Sequence, residues 1–221
     1  MSGTISGAVQ LPPRLPPPIF LRPSGSAAVY SPAMVPGAES TDEELMLLYR
    51  DGDAGAFDVL YARHKGGVYR YLLRQCRDAA SAEELFQDVW MNLIRARAGY
   101  TVQAKFTTYL YRLAHNRLID HYRRNRHVAM ISFDDEDREE IAELPDEREP
   151  PADDALDARR QAGRLLELIA ALPEAQREAF LMQQEGGMSV EEIAQATGVT
   201  RETAKSRLRY AMARLRQGMR E

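Results

Sequence analysis

Apolar residues recur at intervals of three and four along much of the chain, with polar residues between them. This spacing places the apolar side chains on one face of an α-helix. Clear examples lie in the segment that begins at Asp53 and in the segment 81–96, with apolar positions at Phe57, Leu60, Tyr61, Val68, Tyr69, Leu72, Leu73, Leu85, Val89, Leu93 and Ile94. No segment alternates convincingly as a β-strand. The pattern therefore predicts an all-α fold of about four helices, a linker and four more helices.

Helix starts are marked by the sequence S/T-x-x-E, in which the two side chains cap each other's backbone N–H groups. It occurs at residues 41–44, 81–84 and 189–192, and each occurrence predicts a helix start. The long helix from Asp53 contains Gly66-Gly67. Since each glycine costs about 1 kcal/mol relative to alanine in a helix, we expect a bend or an interruption there.

The segment 189–215 has the layout of a helix-turn-helix. After the helix that starts at Ser189, Gly198 suits the left-handed conformation that ends a helix, and Thr200 can cap a second helix from 201 to about 215. That second helix is strongly cationic, with Glu202 as its one acid; its bases are Arg201, Lys205, Arg207, Arg209, Arg214 and Arg216. A basic helix of this kind fits the DNA major groove. The alternative is an amphipathic hairpin with a solvated basic face.

A second basic segment, 105–126, interleaves cations with aromatic rings. It has one acid, Asp120; its cations are Lys105, Arg112, Arg117, Arg123, Arg124 and Arg126, and its rings are Phe106, Tyr109, Tyr111 and Tyr122. Cations bind phosphates and rings stack on bases, which is what single-stranded DNA binding requires. Two or three of these rings are expected in the core instead. The preceding segment, 81–96, carries an acidic polar face.

Charge and composition divide the rest of the chain. The formal net charge is −4, yet residues 129–157 hold 13 Asp or Glu and two Arg, so the remainder of the chain is net +7. We read residues 128–156 as a flexible acidic linker between two small domains, 39–127 and 157–221. Residues 1–38 hold eight of the twelve prolines and two charges, a composition typical of a disordered extension.

Several function classes have no support in the sequence. Cys76 is the only cysteine, so an internal disulfide or a structural zinc site is excluded and a reducing compartment is expected. There is no apolar run of the roughly 20 residues that span a bilayer, and no secretory signal. Phosphate-loop, dinucleotide-binding and metalloprotease motifs are absent. We therefore expect a cytoplasmic non-enzyme without membrane insertion, metal or cofactor.

Taken in order, these segments resemble the extracytoplasmic-function (ECF) sigma factors of bacterial RNA polymerase. AFDVLYARHKGGVYRYLLR resembles the first part of sigma domain 2, SAEELFQDVWMNLI its polymerase-clamp helix, and KFTTYLYRLAHNRLIDHYRR its promoter-melting helix. The segment 172–216 resembles the helix-turn-helix of sigma domain 4. The resemblance implies promoter recognition and transcription initiation on core polymerase. The alternative function is a dimeric helix-turn-helix regulator that acts without polymerase.

The resemblance also implies roles for individual residues. Glu84, Gln87 and Asp88 would contact the clamp of the polymerase β′ subunit, while domain 4 would meet the β flap. At the −10 element, Arg112, Asn116 and Arg117 would contact melted DNA, and the loop from Tyr100 to Ala104 would accept a flipped base. The −35 element would be read by Arg201, Lys205, Ser206, Arg209 and Tyr210. An inhibitory anti-sigma factor is a further implied partner.

The chain departs from the family pattern in three places. Tyr109 stands where the family usually has Trp, so its part in melting or packing is open. Ser81 replaces a frequent Asp, which makes the acidic face slightly weaker. Arg201-Glu202 replace a small residue and Gly, which predicts an unusual −35 preference.

Overall fold

The computed structural model describes the backbone of residues 40–129 and 152–220, and the side chains of residues 40–124 and 158–220. Within these ranges every regular element is helical, which confirms the all-α fold. The N-terminal bundle comprises α1 (Asp42–Arg50), α2 (Ala54–Cys76), α3 (Ala79–Ala96) and α4 (Phe106–Ala129), with a 3-10 turn at Arg97–Gly99. The C-terminal bundle comprises α5 (Ala152–Ala171), α6 (Glu174–Gly186), α7 (Val190–Thr197) and α8 (Arg201–Gly218). The expectations for residues 1–38 and for 130–151 of the linker lie outside the described residues.

The N-terminal bundle packs around an aromatic and aliphatic core, as the helical spacing predicts. Phe57 of α2 lies 4.9 Å from Tyr49 of α1 and 5.9 Å from Trp90 of α3, measured between ring centres. Such aromatic pairs add stabilisation beyond the area they bury. Glu43 of α1 ties the start of α4 to the bundle, because its Oε1 accepts a hydrogen bond from Phe106 N at 2.6 Å. Thus α4 is held in place along its buried face and at its N-terminus.

The expected start of α3 at Ser81 is wrong. Helix α3 begins at Ala79, and its cap is Asp78, whose carboxylate accepts hydrogen bonds from Ala80 N and Ser81 N. An aspartate cap satisfies the free N–H groups of the first turn as well as serine does. Arg77, in the left-handed conformation, turns the chain directly out of α2, so the earlier of the two capping residues is used.

The expected interruption at Gly66-Gly67 is also wrong, since α2 runs unbroken from Ala54 to Cys76. The structure gives a packing reason for the second glycine. A β-carbon at position 67 would lie 2.7 Å from the backbone carbonyl oxygen of Glu185 in α6, whereas one at position 66 would meet only the tip of the Arg70 side chain. Gly67 therefore permits a close approach between the two bundles.

The C-terminal bundle contains the predicted helix-turn-helix. Ser189 and Glu192 form the reciprocal capping box at the start of α7, and Gly198 ends that helix with φ at 68°. Thr200 then caps α8 by accepting a hydrogen bond from Thr203 N at 3.2 Å. Helix α5 begins at Ala152, five residues before the predicted start of the second domain at residue 157.

The two bundles lie against each other rather than apart. Helix α6 packs on α2, and α7 packs on α4, within one compact unit. Buried Arg177 of α6 lies at this contact and donates hydrogen bonds to the carbonyl oxygens of Ala170 and Leu172 and to Gln75 Oε1 of α2. Arg177 thereby caps the C-terminal end of α5, where the last carbonyl groups have no hydrogen-bond donor within the helix.

Candidate nucleic-acid interface

The exposed side of α4 carries the residues expected at melted DNA. Arg112 and Asn116 are exposed one turn apart, and Arg117 is half-buried with its guanidinium 3.8 Å from the Asp120 carboxylate. The opposite side of the helix is fixed in the core through Leu110, Ala114 and Leu118. Residues three and four apart share a helical face. Arg112 and Asn116 are therefore presented together on the exposed side of α4, whereas Arg117 is constrained by its contact with Asp120.

The four rings of the basic helix divide between core and surface. Phe106 and Tyr111 are fully buried, which confirms that at least two of the rings belong to the core. Tyr122 is half-buried and its hydroxyl donates a hydrogen bond to the carbonyl of Gln75 at 2.9 Å. Tyr109 is half-buried and faces Tyr100, with 5.4 Å between ring centres. Of the four, Tyr109 is the ring best placed to meet a base.

A cavity of about 370 Å³ opens between the loop after α3 and the start of α4. Its walls include Tyr100, Gln103, Thr108, Tyr109 and Arg112, which brings the predicted base-accepting loop beside the predicted DNA-binding helix. A cavity of this size, with stacking rings and a few polar groups, is suited to one planar ligand group such as a base. We call it the base pocket.

Tyr100 lines this pocket with a buried ring. Its ring is only 5% exposed, and burial together with the charge of Glu43 raises the pKa of its hydroxyl to about 12. Its backbone carbonyl accepts a hydrogen bond from Arg50 Nη1 at 3.4 Å. Tyr100 is thus fixed in the pocket wall, which Thr101, Gln103 and Ala104 of the same loop also line.

Helix α3 presents the expected polar face. Glu84 and Gln87 are exposed and Asp88 is half-buried, all on the side opposite the core residues of that helix. Met91, which the sequence pattern did not single out, lies on the same face and is 45% exposed. An apolar side chain within a polar surface is typical of the centre of a protein interface. These four residues form what we call the α3 face.

Helix α8 exposes four of the five expected DNA-reading residues. Arg201, Lys205, Arg209 and Tyr210 are exposed, and Ser206 is half-buried. The Arg209 guanidinium lies 5.0 Å from the centre of the Tyr210 ring, and its Nη2 is 3.3 Å from the Tyr210 hydroxyl. Stacking of this kind limits the motion of the arginine and orients its donors.

Arg201, the fifth residue expected at the −35 element, is already engaged. Its guanidinium pairs with Glu191 of α7, and it also lies 3.5 Å from Glu202. The hydrogen bond from Arg201 holds the pKa of the Glu191 carboxyl below its usual value. Arg201 is therefore partly neutralised within the protein and is a weaker candidate for direct DNA contact than Arg209.

Other kinds of site find little support in the described part of the chain. Within residues 40–129 and 152–220, no group of His, Cys, Asp and Glu side chains is arranged to hold a metal ion. Among the same residues, no helix combines the length and the hydropathy that a membrane crossing requires.

Comparisons with protein families agree with the division into two bundles. Residues 60–128 match the model of Sigma-70 region 2, and residues 162–215 match that of Sigma-70, region 4. Together these segments contain all of α3, α6 and α7, nearly all of α4, most of α2 and α8, and half of α5.

Individual proteins are similar over most of the chain. The RNA polymerase sigma factor CarQ of Myxococcus xanthus is 31% identical over 169 residues, which is 76% of this chain and 92% of CarQ. The ECF RNA polymerase sigma factor RpoE of Cereibacter sphaeroides is 33% identical over 177 residues, 79% of this chain and 93% of that protein.

Two solved structures share the fold. One is CnrH in complex with the cytosolic domain of CnrY, with a TM-score of 0.57 and 20% identity over 80% of this chain and 95% of CnrH. The other is the sigma factor RpoE with the anti-sigma factor NepR from Bartonella quintana, with a TM-score of 0.61 and 20% identity over 74% of this chain and 96% of that one.

Proposed function

This chain belongs to the extracytoplasmic-function family of RNA polymerase sigma factors, and on that premise we propose how its two bundles divide promoter recognition between them. The N-terminal bundle binds core polymerase and the −10 element, and the C-terminal bundle binds the −35 element and the β flap. The base pocket beside Arg112 and Asn116 is the observation that carries this proposal. In it, the loop expected to accept a flipped base lies next to the helix expected to contact melted DNA. The protein acts in the cytoplasm, where its polymerase and promoters lie.

The α3 face is the proposed contact with the β′ clamp. Met91 would supply an apolar contact among Glu84, Gln87 and Asp88, which give the hydrogen bonds and charges. A pull-down against core polymerase, with a gel shift of the protein alone on duplex DNA, tests whether the protein acts through polymerase. A sigma factor binds core tightly and free duplex weakly. A dimeric regulator without polymerase would show the reverse, which would refute the proposal.

The base pocket is the proposed site for one flipped base of the −10 element. Melting costs a few kcal/mol of stacking for each base, and a base held against Tyr109 in the pocket would recover part of this cost. Arg112 stands at the pocket wall, and Asn116 follows one turn later along α4. The single strand would therefore run along the exposed side of this helix.

Asn116→Ala is expected to reduce open-complex formation more than initial promoter binding. The Asn116 amide can pair with a base edge only after that base has left the duplex, so its loss acts on the melted state. The measurement compares initial closed-complex binding with the rate of open-complex formation on the same duplex promoter. An equal loss at initial closed-complex binding would instead indicate a folding defect.

Recognition at the −35 element is proposed to centre on Lys205 and Arg209. An arginine that binds guanine through two donors contributes about 1–3 kcal/mol of discrimination. Arg209→Ala should therefore relax preference at one −35 position and leave the other positions unchanged, while Lys205→Ala should act more evenly. Selection from randomised −35 sequences checks this. An unchanged preference in the Arg209 variant, with uniformly weaker binding, would show a phosphate contact only.

An anti-sigma factor is also proposed as a partner. The support is that a relative of the same fold, the RpoE sigma factor of Bartonella quintana, was solved with the anti-sigma factor NepR. Co-purification of this chain from its host under non-inducing conditions tests the proposal. A stoichiometric protein that inhibits transcription by the sigma factor is the expected result, and recovery of the chain without any such inhibitor would count against it.

A further inference from the structure

One carboxylate stands on the proposed DNA-reading face of α8. Glu202, the only acid of this helix, lies three, four and seven residues before Lys205, Ser206 and Arg209. Residues at this spacing share a helical face. The buried residues of α8 lie on the other side of the helix, at Ala204, Leu208, Ala211 and Leu215. An acid is therefore placed among the side chains that are expected to meet the −35 element.

The start of α8 presents Glu202 and turns its neighbour aside. The Glu202 side chain is 75% exposed, and its Oε1 accepts a hydrogen bond from Arg201 Nη1 at 3.5 Å. The same guanidinium pairs with Glu191, so Arg201 is directed toward α7. In a helix-turn-helix, residues near the N-terminus of the second helix contact base edges. Glu202, rather than Arg201, is thus the first side chain of α8 on the reading face.

The carboxylate restricts which base can lie opposite it, because an ionised carboxylate only accepts hydrogen bonds. In the major groove, cytosine presents an amino donor alone. Adenine presents an amino donor beside the N7 acceptor, guanine presents two acceptors, and thymine presents an acceptor and a methyl group. Cytosine is therefore the one base whose edge offers Glu202 a donor without a repelling acceptor.

We propose that Glu202 specifies cytosine at one position of the −35 element. This inference rests on the proposed −35 role of α8. Phosphates repel a carboxylate at a DNA surface, so Glu202 lowers affinity for every site that offers it no amino group. It acts by rejecting wrong sequences as well as by binding the right one. The bridge from Arg201 reduces the side-chain freedom that Glu202 loses on binding.

The base read by Glu202 should differ from the base read by Arg209. Seven residues of an α-helix span about 10 Å, and successive base pairs are about 3.4 Å apart. The two side chains are therefore separated by roughly three base pairs along the groove. Variants of Glu202 and of Arg209 should alter two separate positions of the same −35 element.

Glu202→Gln keeps the size of the side chain and removes its charge. Glutamine binds adenine through both N6 and N7, so the preference at this position should move from cytosine to adenine. Holoenzyme assembled from the full chain and core polymerase would select from promoters with randomised −35 sequences. Titrations on four promoters that differ at the selected base then measure the preference. The wild type should favour cytosine about fivefold, the lower end of the range for a specific side-chain–base pair.

Glu202→Ala should change affinity in opposite directions on different promoters. It should bind the cytosine promoter more weakly than the wild type and the other three promoters more tightly, because both the hydrogen bond and the repulsion are lost. A folding defect would weaken all four. The matched control is Glu167→Gln, which removes the charge of an exposed acid of α5 and should keep the wild-type profile.

The inference is wrong if both Glu202 variants keep the wild-type profile, or if the wild type favours another base at the position they alter. An acid in the first turn also suits the helix dipole. Lower thermal stability with unchanged base preference would assign Glu202 to that role alone and overturn the proposal. Arg209→Ala in the same selection separates the two claims. If it shifts a −35 position while the Glu202 variants do not, only this inference fails; absence of any −35 selection refutes the proposed function as well.

Discussion

Replacing Gln87 and Asp88 together with alanine is expected to weaken binding to core RNA polymerase by about a hundredfold. Both side chains project from the polar side of α3, away from the core. Truncating a desolvated polar or charged group at an interface costs about 2–5 kcal/mol, and roughly 3 kcal/mol corresponds to the stated loss in affinity. Titration of fluorescent core polymerase with wild type and variant gives the two dissociation constants.

The matched control is Asp58→Ala, which removes an exposed carboxylate of α2 outside the α3 face. It should leave core affinity within about twofold of the wild type, since isolated surface charges contribute little. Circular dichroism should show unchanged helix content in both proteins. An unchanged dissociation constant for the double variant would remove the α3 face from the account.

Arg177→Ala is expected to lower the free energy of unfolding by about 2–4 kcal/mol. The arginine is 6% exposed and donates hydrogen bonds to two carbonyls at the end of α5 and to Gln75 of the neighbouring bundle. Its loss leaves two buried acceptors, Gln75 Oε1 and the Leu172 carbonyl oxygen, without this donor, and each unsatisfied group carries a desolvation cost of about 1–3 kcal/mol. Urea unfolding followed by circular dichroism measures the change.

Two further variants separate this role from a general effect of charge. Arg159→Ala removes an exposed arginine of α5 and should change stability by less than about 0.5 kcal/mol. Arg177→Lys keeps the charge but lacks the fork that reaches several acceptors, so we expect it to recover only part of the loss. Wild-type stability in Arg177→Ala would show that the hydrogen bonds contribute nothing net.

Local signals in the sequence were sufficient for most helix boundaries. The capping pairs Thr41–Glu44 and Ser189–Glu192 lie within one turn, and their geometry depends on nothing distant. Gly198 ends α7 for a similarly local reason. At α3, two candidate caps, Asp78 and Ser81, stand three residues apart, and the sequence pattern gave no means of choosing between them.

Contacts between the bundles depend on residues far apart in the chain, and no local pattern predicts them. Arg70 and Glu185 are separated by 115 positions, and on each helix alone the residue reads as an ordinary solvated charge. Gly67 likewise appeared to be a helix breaker, because the Glu185 carbonyl that requires it is visible only in three dimensions. Long-range packing therefore accounts for the wrong prediction in α2.

The candidate sites were predictable in position and less so in detail. Helical spacing put Lys205 and Arg209 on one exposed face, and the structure presents them there. The sequence did not show that Arg201 is engaged by Glu191, that the Tyr100 ring is buried, or that Met91 lies on the α3 face. Each of these depends on burial or on a partner from another element.

The most direct test of the central claim is in vitro transcription by core RNA polymerase with this protein, on a library of promoter fragments from the host genome. The account predicts specific transcripts that require both core and this chain, that start downstream of shared −35 and −10 sequences, and that are lost with the Gln87 and Asp88 double variant. Sequence-specific DNA binding without core, together with no transcript above core alone, would contradict it.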